Sequence, residues 1–237
     1  MRLDKDMLKR IAVLRTVGRP ILHALRQLRV KVLSFGMPKP SVGKGRFIRR
    51  DRGVKVSIKI AQGATIEMTG NIFFESDLGQ IGNTRISLGK GSKLRVLGDF
   101  IIGPDVLIIV SSGAELVIGG RRNSSGSGIT GSTRILVKES IEIGADSIIA
   151  WNVFVTDCDW HSIEGRVHTC QTIIGDHVWL AHSTSVLKGS KIGHGCILAS
   201  HGVCSMRTYP DHTLIGGIPA SILREDVKWD RDIYWSD

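Results

Sequence analysis

Of the eight histidines in this 237-residue chain, one closes a short acidic run: Thr156, Asp157, Cys158, Asp159, Trp160 and His161. A histidine titrates at about 6.5, so it can take a proton from a poor nucleophile such as an alcohol and hand it on. A carboxylate beside such a ring fixes its orientation and stabilises the imidazolium, and Asp159 and Asp157 both qualify by position. Asn152 lies a few positions earlier and is a candidate donor to substrate. Cys158 invites a covalent route, but carboxylates on both sides disfavour the thiolate that such a route needs.

The elements that must hold this cluster follow an unusual period. Large aliphatics recur every six residues at Ile143, Ile149 and Val155, then at Ile174, Leu180, Val186, Ile192 and Leu198, with Cys204 closing the series. Four residues after most of these comes a small or β-branched side chain: Ser147, Val153, Val178, Thr184, Ser190, Cys196 and Gly202. A period of six is neither the 3.6 of a helix nor the 2 of an alternating strand. It fits a solenoid in which each six-residue step makes one flat face and three steps make one coil. The aliphatic then points inward and the small residue fits the corner. The core exists only as a stack, because one coil buries little alone. The period slips by one residue between Val155 and Ile174, which places an excursion over 160–173 beside His161.

The remaining chain is read around this block. Residues 1–35 carry apolar residues at helical spacing, interleaved with Arg and Lys and broken at Gly18, Arg19 and Pro20. Residues 36–57 read as a basic linker. The solenoid is expected over 58–208, irregular in its early coils, with a Gly/Ser-rich loop at 119–128. Residues 209–237 read as a cap, with a short helix over 220–232 and Trp229 packed on the last coil. Residues 1–57 hold 16 Lys+Arg and 3 Asp+Glu, a net of +13, against 16 and 19, a net of −3, in the other 180. The basicity therefore belongs to the N-terminal segment. It reads as a cap on the open solenoid end or as a surface that meets anionic lipid or a charged polymer, which allows a peripheral membrane contact. Aromatics make up 5% of residues, too few for a base-stacking platform, so no nucleic acid is expected. No apolar run approaches the ~20 residues of a spanning helix. The four cysteines form no CxxC pair and read as reduced thiols, which suggests a cytoplasmic protein.

Segments 150–163 (AWNVFVTDCDWHSI), 174–181 (IGDHVWLA), 186–200 (VLKGSKIGHGCILAS) and 215–225 (IGGIPASILRE) resemble the hexapeptide-repeat acyltransferases. Within that family they are most similar to the bacterial sugar and polysaccharide O-acetyltransferases. The resemblance implies an all-β solenoid, a left-handed parallel β-helix of hexapeptide repeats. It also implies a homotrimer with acetyl-CoA as co-substrate in a groove between neighbouring solenoids, and no metal. His161 falls on the family's catalytic histidine. The donor's pantetheine would bond at Ala181, His182 and Ser200. Trp179 matches a common aromatic of the groove, and Arg224 a basic residue near the nucleotide phosphates. The chain also departs from the pattern. Ile218 replaces the Asn of the usual G-N-P-A, Ser221 replaces a basic residue, and Met206 replaces a Lys for which Arg207 is a substitute.

The expected function is acetyl transfer to a hydroxyl of a sugar, a capsular or O-antigen-type polysaccharide or a glycolipid precursor, in the cytoplasm or at the inner face of the membrane. Three alternatives stand beside it. One is an N-acetyltransferase of a nucleotide-linked amino sugar, and another a non-enzymatic binding solenoid. The third is a zinc hydratase of the γ-carbonic-anhydrase type using His161, His177 and His182. Against that third reading, Lys188 stands where a metal-binding histidine is expected.

Overall fold

A computed structural model describes residues 36–76, 79–120 and 127–231. The helical run expected over 1–35 and most of the loop expected over 119–128 lie outside the described residues. The rest winds into three-sided coils, and their strands stack into three sheets of eight, nine and seven strands. Every pairing is parallel except the last of the second sheet. Strands return to the same sheet once per coil, so Val42–Gly43, Thr65–Met68 and Lys93–Val96 are neighbours on the first face.

Within each strand alternate side chains turn inward. In Glu115–Gly120 the inward Leu116 and Ile118 are fully buried while Glu115 and Val117 face out. The inward residues of successive coils pile into one continuous core from Phe47 to Ala220. Burying each such side chain contributes about 1.5–3 kcal/mol, which outweighs the cost of ordering short strands only because the stack is continuous. Every aliphatic of the six-residue series is at most 2% exposed, and so are the small residues of the companion series from Ser147 to Cys196.

The corners rely on residues that tolerate left-handed backbone. Between the second and third faces stands a column of Asp105, Ser132, Asn152, Ser183 and His201, all at positive φ. Short polar side chains visit this region at low cost because they bond locally. Between the first and second faces the column is Gly120, Asp146, His177, Gly195 and His212. Coil-to-coil approach is close here. A Cβ added to Gly193 would lie 2.6 Å from the Asp211 amide nitrogen, while the Asp211 carboxylate accepts the His194 N–H at 2.8 Å.

Two expectations are corrected. Coil strands begin at Val42 and not near Ile58. Phe47 points inward and stacks on Phe74 at 6.2 Å, and Phe47–Arg49 pairs with Ile72–Phe74. Arg46 and Arg50 are exposed residues of that coil and Arg49 is half-buried, and their charge gives it the composition of a linker. Among the described residues the helix expected over 220–232 is absent. Ala220–Arg224 is instead a strand that turns back antiparallel along Leu214–Gly217. The last coil leaves an open edge of N–H and C=O groups, and this strand pairs it. No helix among the described residues is long and apolar enough to cross a membrane.

Candidate functional site

The acidic run lies where the chain leaves the third face. Phe154–Thr156 is the last strand before the excursion, and Thr172–Ile174 resumes on the first face. Between them the chain makes a hairpin whose base is closed by an antiparallel bridge of Cys158 with Thr169 and by the Asp159 N–H donating to His168 C=O at 2.9 Å. Residues 161–168 are all exposed. His161 sits exposed on this hairpin, and its ring has no hydrogen-bond partner among the described residues.

Neither expected carboxylate bonds to the His161 ring. Asp157 is fully buried, and its two oxygens accept the N–H groups of Lys138, Glu139 and Ser140, each at 2.7 Å. It replaces the hydrogen bonds that the corner below lacks, because the excursion has removed the strand continuation there. Asp159 is paired with Lys188. The Lys188 ammonium, on the next coil and 8% exposed, donates to Asp159 Oδ2 and to Val167 C=O. One buried cation thus ties both legs of the hairpin to the solenoid. Trp160 folds back so that its indole N–H donates to Thr156 Oγ1 at 3.2 Å.

Ala181, His182 and Ser200 gather at the second corner, together with Asn152. The Asn152 side-chain amide donates to Ser183 Oγ at 2.9 Å. The His182 and His201 rings meet edge to face at 5.6 Å. On the adjoining second face Ala150, Ala181 and Ala199 follow the registered pairs Ile149–Leu180 and Leu180–Leu198, so three methyl-only side chains align in one column at outward positions, with Ala150 and Ala181 themselves buried. Trp179 stands next to this strip, 39% exposed, with its ring centroid 6.1 Å from that of Trp229. Arg224 ends the terminal strand on the same face. Arg207 lies elsewhere, by the third corner, where its guanidinium donates to Ala220 C=O at 3.4 Å and faces the Tyr209 ring at 5.6 Å.

The candidate residues therefore form two groups. His161, Asp157, Asp159 and Arg207 occupy the edge between the third and first faces. Asn152, Ala181, His182 and Ser200 occupy the edge between the second and third. The width of one sheet, about six residues or roughly 20 Å, separates the two edges within one chain. The three histidines weighed for zinc stand at three different corners. His177 is engaged otherwise, with Nδ1 at 2.8 Å from Asp146 Oδ2, Nε2 at 3.1 Å from Trp229 C=O, and its ring stacked on Trp229 at 4.0 Å.

Sequence reasoning passed over Lys188 as a site residue and missed Ser183 and His201. Ser183 and His201 share the corner column of Asn152, a positional signal that reading by the six-residue period alone does not use. Lys188 has no motif of its own, and only its place opposite the excursion gives it a role.

No family model matches the chain. Curated relatives do, among them two named as O-acetyltransferases. A putative lipopolysaccharide biosynthesis O-acetyl transferase of Escherichia coli K12 is 31% identical, over 37% of this chain and 51% of that protein. A polysialic acid O-acetyltransferase of Neisseria meningitidis is 33% identical, over 45% of this chain and 52% of that protein. The chain spans about half the length of the curated relatives it matches. Among solved structures, the polysialic acid O-acetyltransferase OatWY is 24% identical, over 83% of this chain and 93% of that one, with a TM-score of 0.49.

Proposed function

We propose that this chain is a hexapeptide-repeat acyltransferase, as its repeat and the relatives it matches support, and acts as an acetyl-CoA-dependent O-acetyltransferase of a polysaccharide. His161 is the general base. It takes the proton of an acceptor hydroxyl as that oxygen attacks the thioester carbonyl. The C–S bond then breaks, and the proton passes from the imidazolium to the departing thiolate. An exposed histidine on a pinned hairpin suits this role, because the ring is open to substrate while Lys188 holds the hairpin through Asp159 and Val167.

The observation that carries the reading is the separation of the two groups. One chain presents a base at one edge of its third face and a donor strip at the other. Two copies side by side can bring the base of one to the strip of the next. A homotrimer closes that arrangement without leaving an unused surface. Trp160, Ile163 and Val167 stand 42%, 49% and 70% exposed on the hairpin, an apolar surface suited to burial against a neighbouring copy. Asp159 acts on catalysis through Lys188 and the hairpin, and Asp157 acts through the corner it caps. Asn152 is available to the acceptor. Acetyl-CoA is a co-substrate, held by the alanine strip, Trp179, His182 and Ser200, with Arg224 toward the phosphates.

Thiol release from acetyl-CoA in the presence of bacterial acidic polysaccharides tests this. His161→Ala is expected to lower turnover by a factor of about 10²–10⁴ with acetyl-CoA binding retained. Near-wild-type turnover of that variant at saturating acceptor would remove His161 from the mechanism.

A further inference from the structure

The charges on the three faces differ. On the first face Arg95 lies between two acids, with Nε at 3.2 Å from Glu67 and NH1 at 3.8 Å from Glu115. The third face has no such compensation. Its strands Val54–Ile60, Gly82–Leu88, Leu107–Val110, Arg134–Val137 and Phe154–Thr156 contain Lys55, Lys59, Arg85 and Arg134 and no Asp or Glu. All four cations are exposed, and none has an ion-pair or hydrogen-bond partner among the described residues. Register places Arg85 and Arg134 on either side of Leu107 in one outward column. They are two strand spacings apart, about 10 Å. A shallow cleft joins them to Asn83, Asp105, Ser132 and Asn152 along the second corner. Asp105 is the one acid there, and its carboxylate accepts the Asn83 N–H at 2.8 Å.

We infer that the third face of the lower coils is a subsite for an acidic polysaccharide, with Arg85 and Arg134 holding successive carboxylates or phosphates and Lys55 and Lys59 extending the field. The inference rests on the acetyl-acceptor reading and commits the acceptor to carrying negative charge. Unpaired guanidinium groups repel one another and gain most from an anion that bridges them. The position of the cleft gives the subsite its use. Its polar edge continues up the corner column from Ser132 to Asn152 and Ser183, and so leads a bound chain to the donor strip. Nucleic acid fits less well, since Phe154 is the only aromatic on these five strands and offers no platform for successive bases.

The test is direct binding by fluorescence anisotropy, using labelled polysialic acid, dextran of matched length and a single-stranded DNA oligomer across a salt series. Polysialic acid is expected to bind with an affinity that falls as salt rises, and dextran to bind at least tenfold more weakly. Arg85→Ala with Arg134→Ala is expected to weaken polysialic acid binding about tenfold to a hundredfold, while the KM for acetyl-CoA and the thermal midpoint stay unchanged. Lys55→Ala with Lys59→Ala is expected to give a smaller loss that disappears at high salt. Equal affinity for polysialic acid and dextran, unaltered binding in the double arginine variant, or DNA binding as tight as polysialic acid overturns the inference. Turnover with a neutral glycan alone would also overturn it and leave the acetyltransferase reading standing. Arginine-dependent binding without any acetyl transfer would uphold the subsite and remove that reading.

Discussion

The coils above the excursion and those below it are built to different measures. Above, Ile173 pairs with Lys191 and Lys191 with Thr208, eighteen and seventeen positions on, and the strands from Trp179 to Tyr209 are two residues long. Below, Thr65 pairs with Lys93 and Lys93 with Glu115, twenty-eight and twenty-two positions on, and strands reach seven residues. The upper block has no residue to spare, so its faces are short and its corners tight, and small side chains line the outward column of Ala150, Ala181 and Ala199 proposed for the donor. The lower block has long flat faces that can display charge in register. The proposed donor strip and the proposed acceptor subsite thus lie on two differently built surfaces of one solenoid, and the hairpin that bears His161 lies at the boundary.

The comparison can be broken most severely in the upper block. Leu180→Ala opens a cavity in a coil with little else to hold it and is expected to cost about 2–5 kcal/mol in denaturant unfolding, with early loss of acetyl-CoA binding. A cost under 1 kcal/mol would mean the upper coils are not the tightly packed wall described. Lys188→Ala comes next. It leaves Asp159 without its cation and frees both legs of the hairpin. It should reduce kcat about tenfold to a hundredfold with little change in the KM for acetyl-CoA, and Lys188→Arg should recover part of the loss. A matched fall in both variants with a raised donor KM would place Lys188 in the donor site instead.

The smallest effect is on alkaline stability. Burial pushes the Cys204 thiol up to about 11 from an ordinary 9.0, and burial pushes the neighbouring Tyr209 hydroxyl up as well. The neutral thiol is favoured in the folded chain, so its contribution is complete below pH 9 and is lost as pH rises through about 11. Unfolding free energy should fall by about 2–3 kcal/mol over that window, and Cys204→Ala should flatten the slope.

How far the molecule was legible in its sequence follows from what periodicity reports. A six-residue repeat marks inward positions, so Ile143, Leu180, Leu198 and their companions were found in their buried places. It says little where the coil is not eighteen residues long, and the true start at Val42 was hidden by outward arginines. It says nothing of what a corner side chain bonds to. Asp157 and Asp159 were found as the acids beside His161. Their partners, three amides and Lys188, depend on contacts across 17 to 29 residues that no local motif records. The terminal strand was missed because its pairing is to an edge that exists only once the solenoid has formed.

The central claim is that base and donor strip come from different copies, and mixed assemblies test it most directly. His161→Ala chains and Ala181→Trp chains, the second with its strip blocked, are each expected to be inactive alone. Unfolded together and refolded as mixed oligomers, they should regain acetyl transfer, because some interfaces then join an intact base to an intact strip. Mixed oligomers that form and stay inactive would contradict the account.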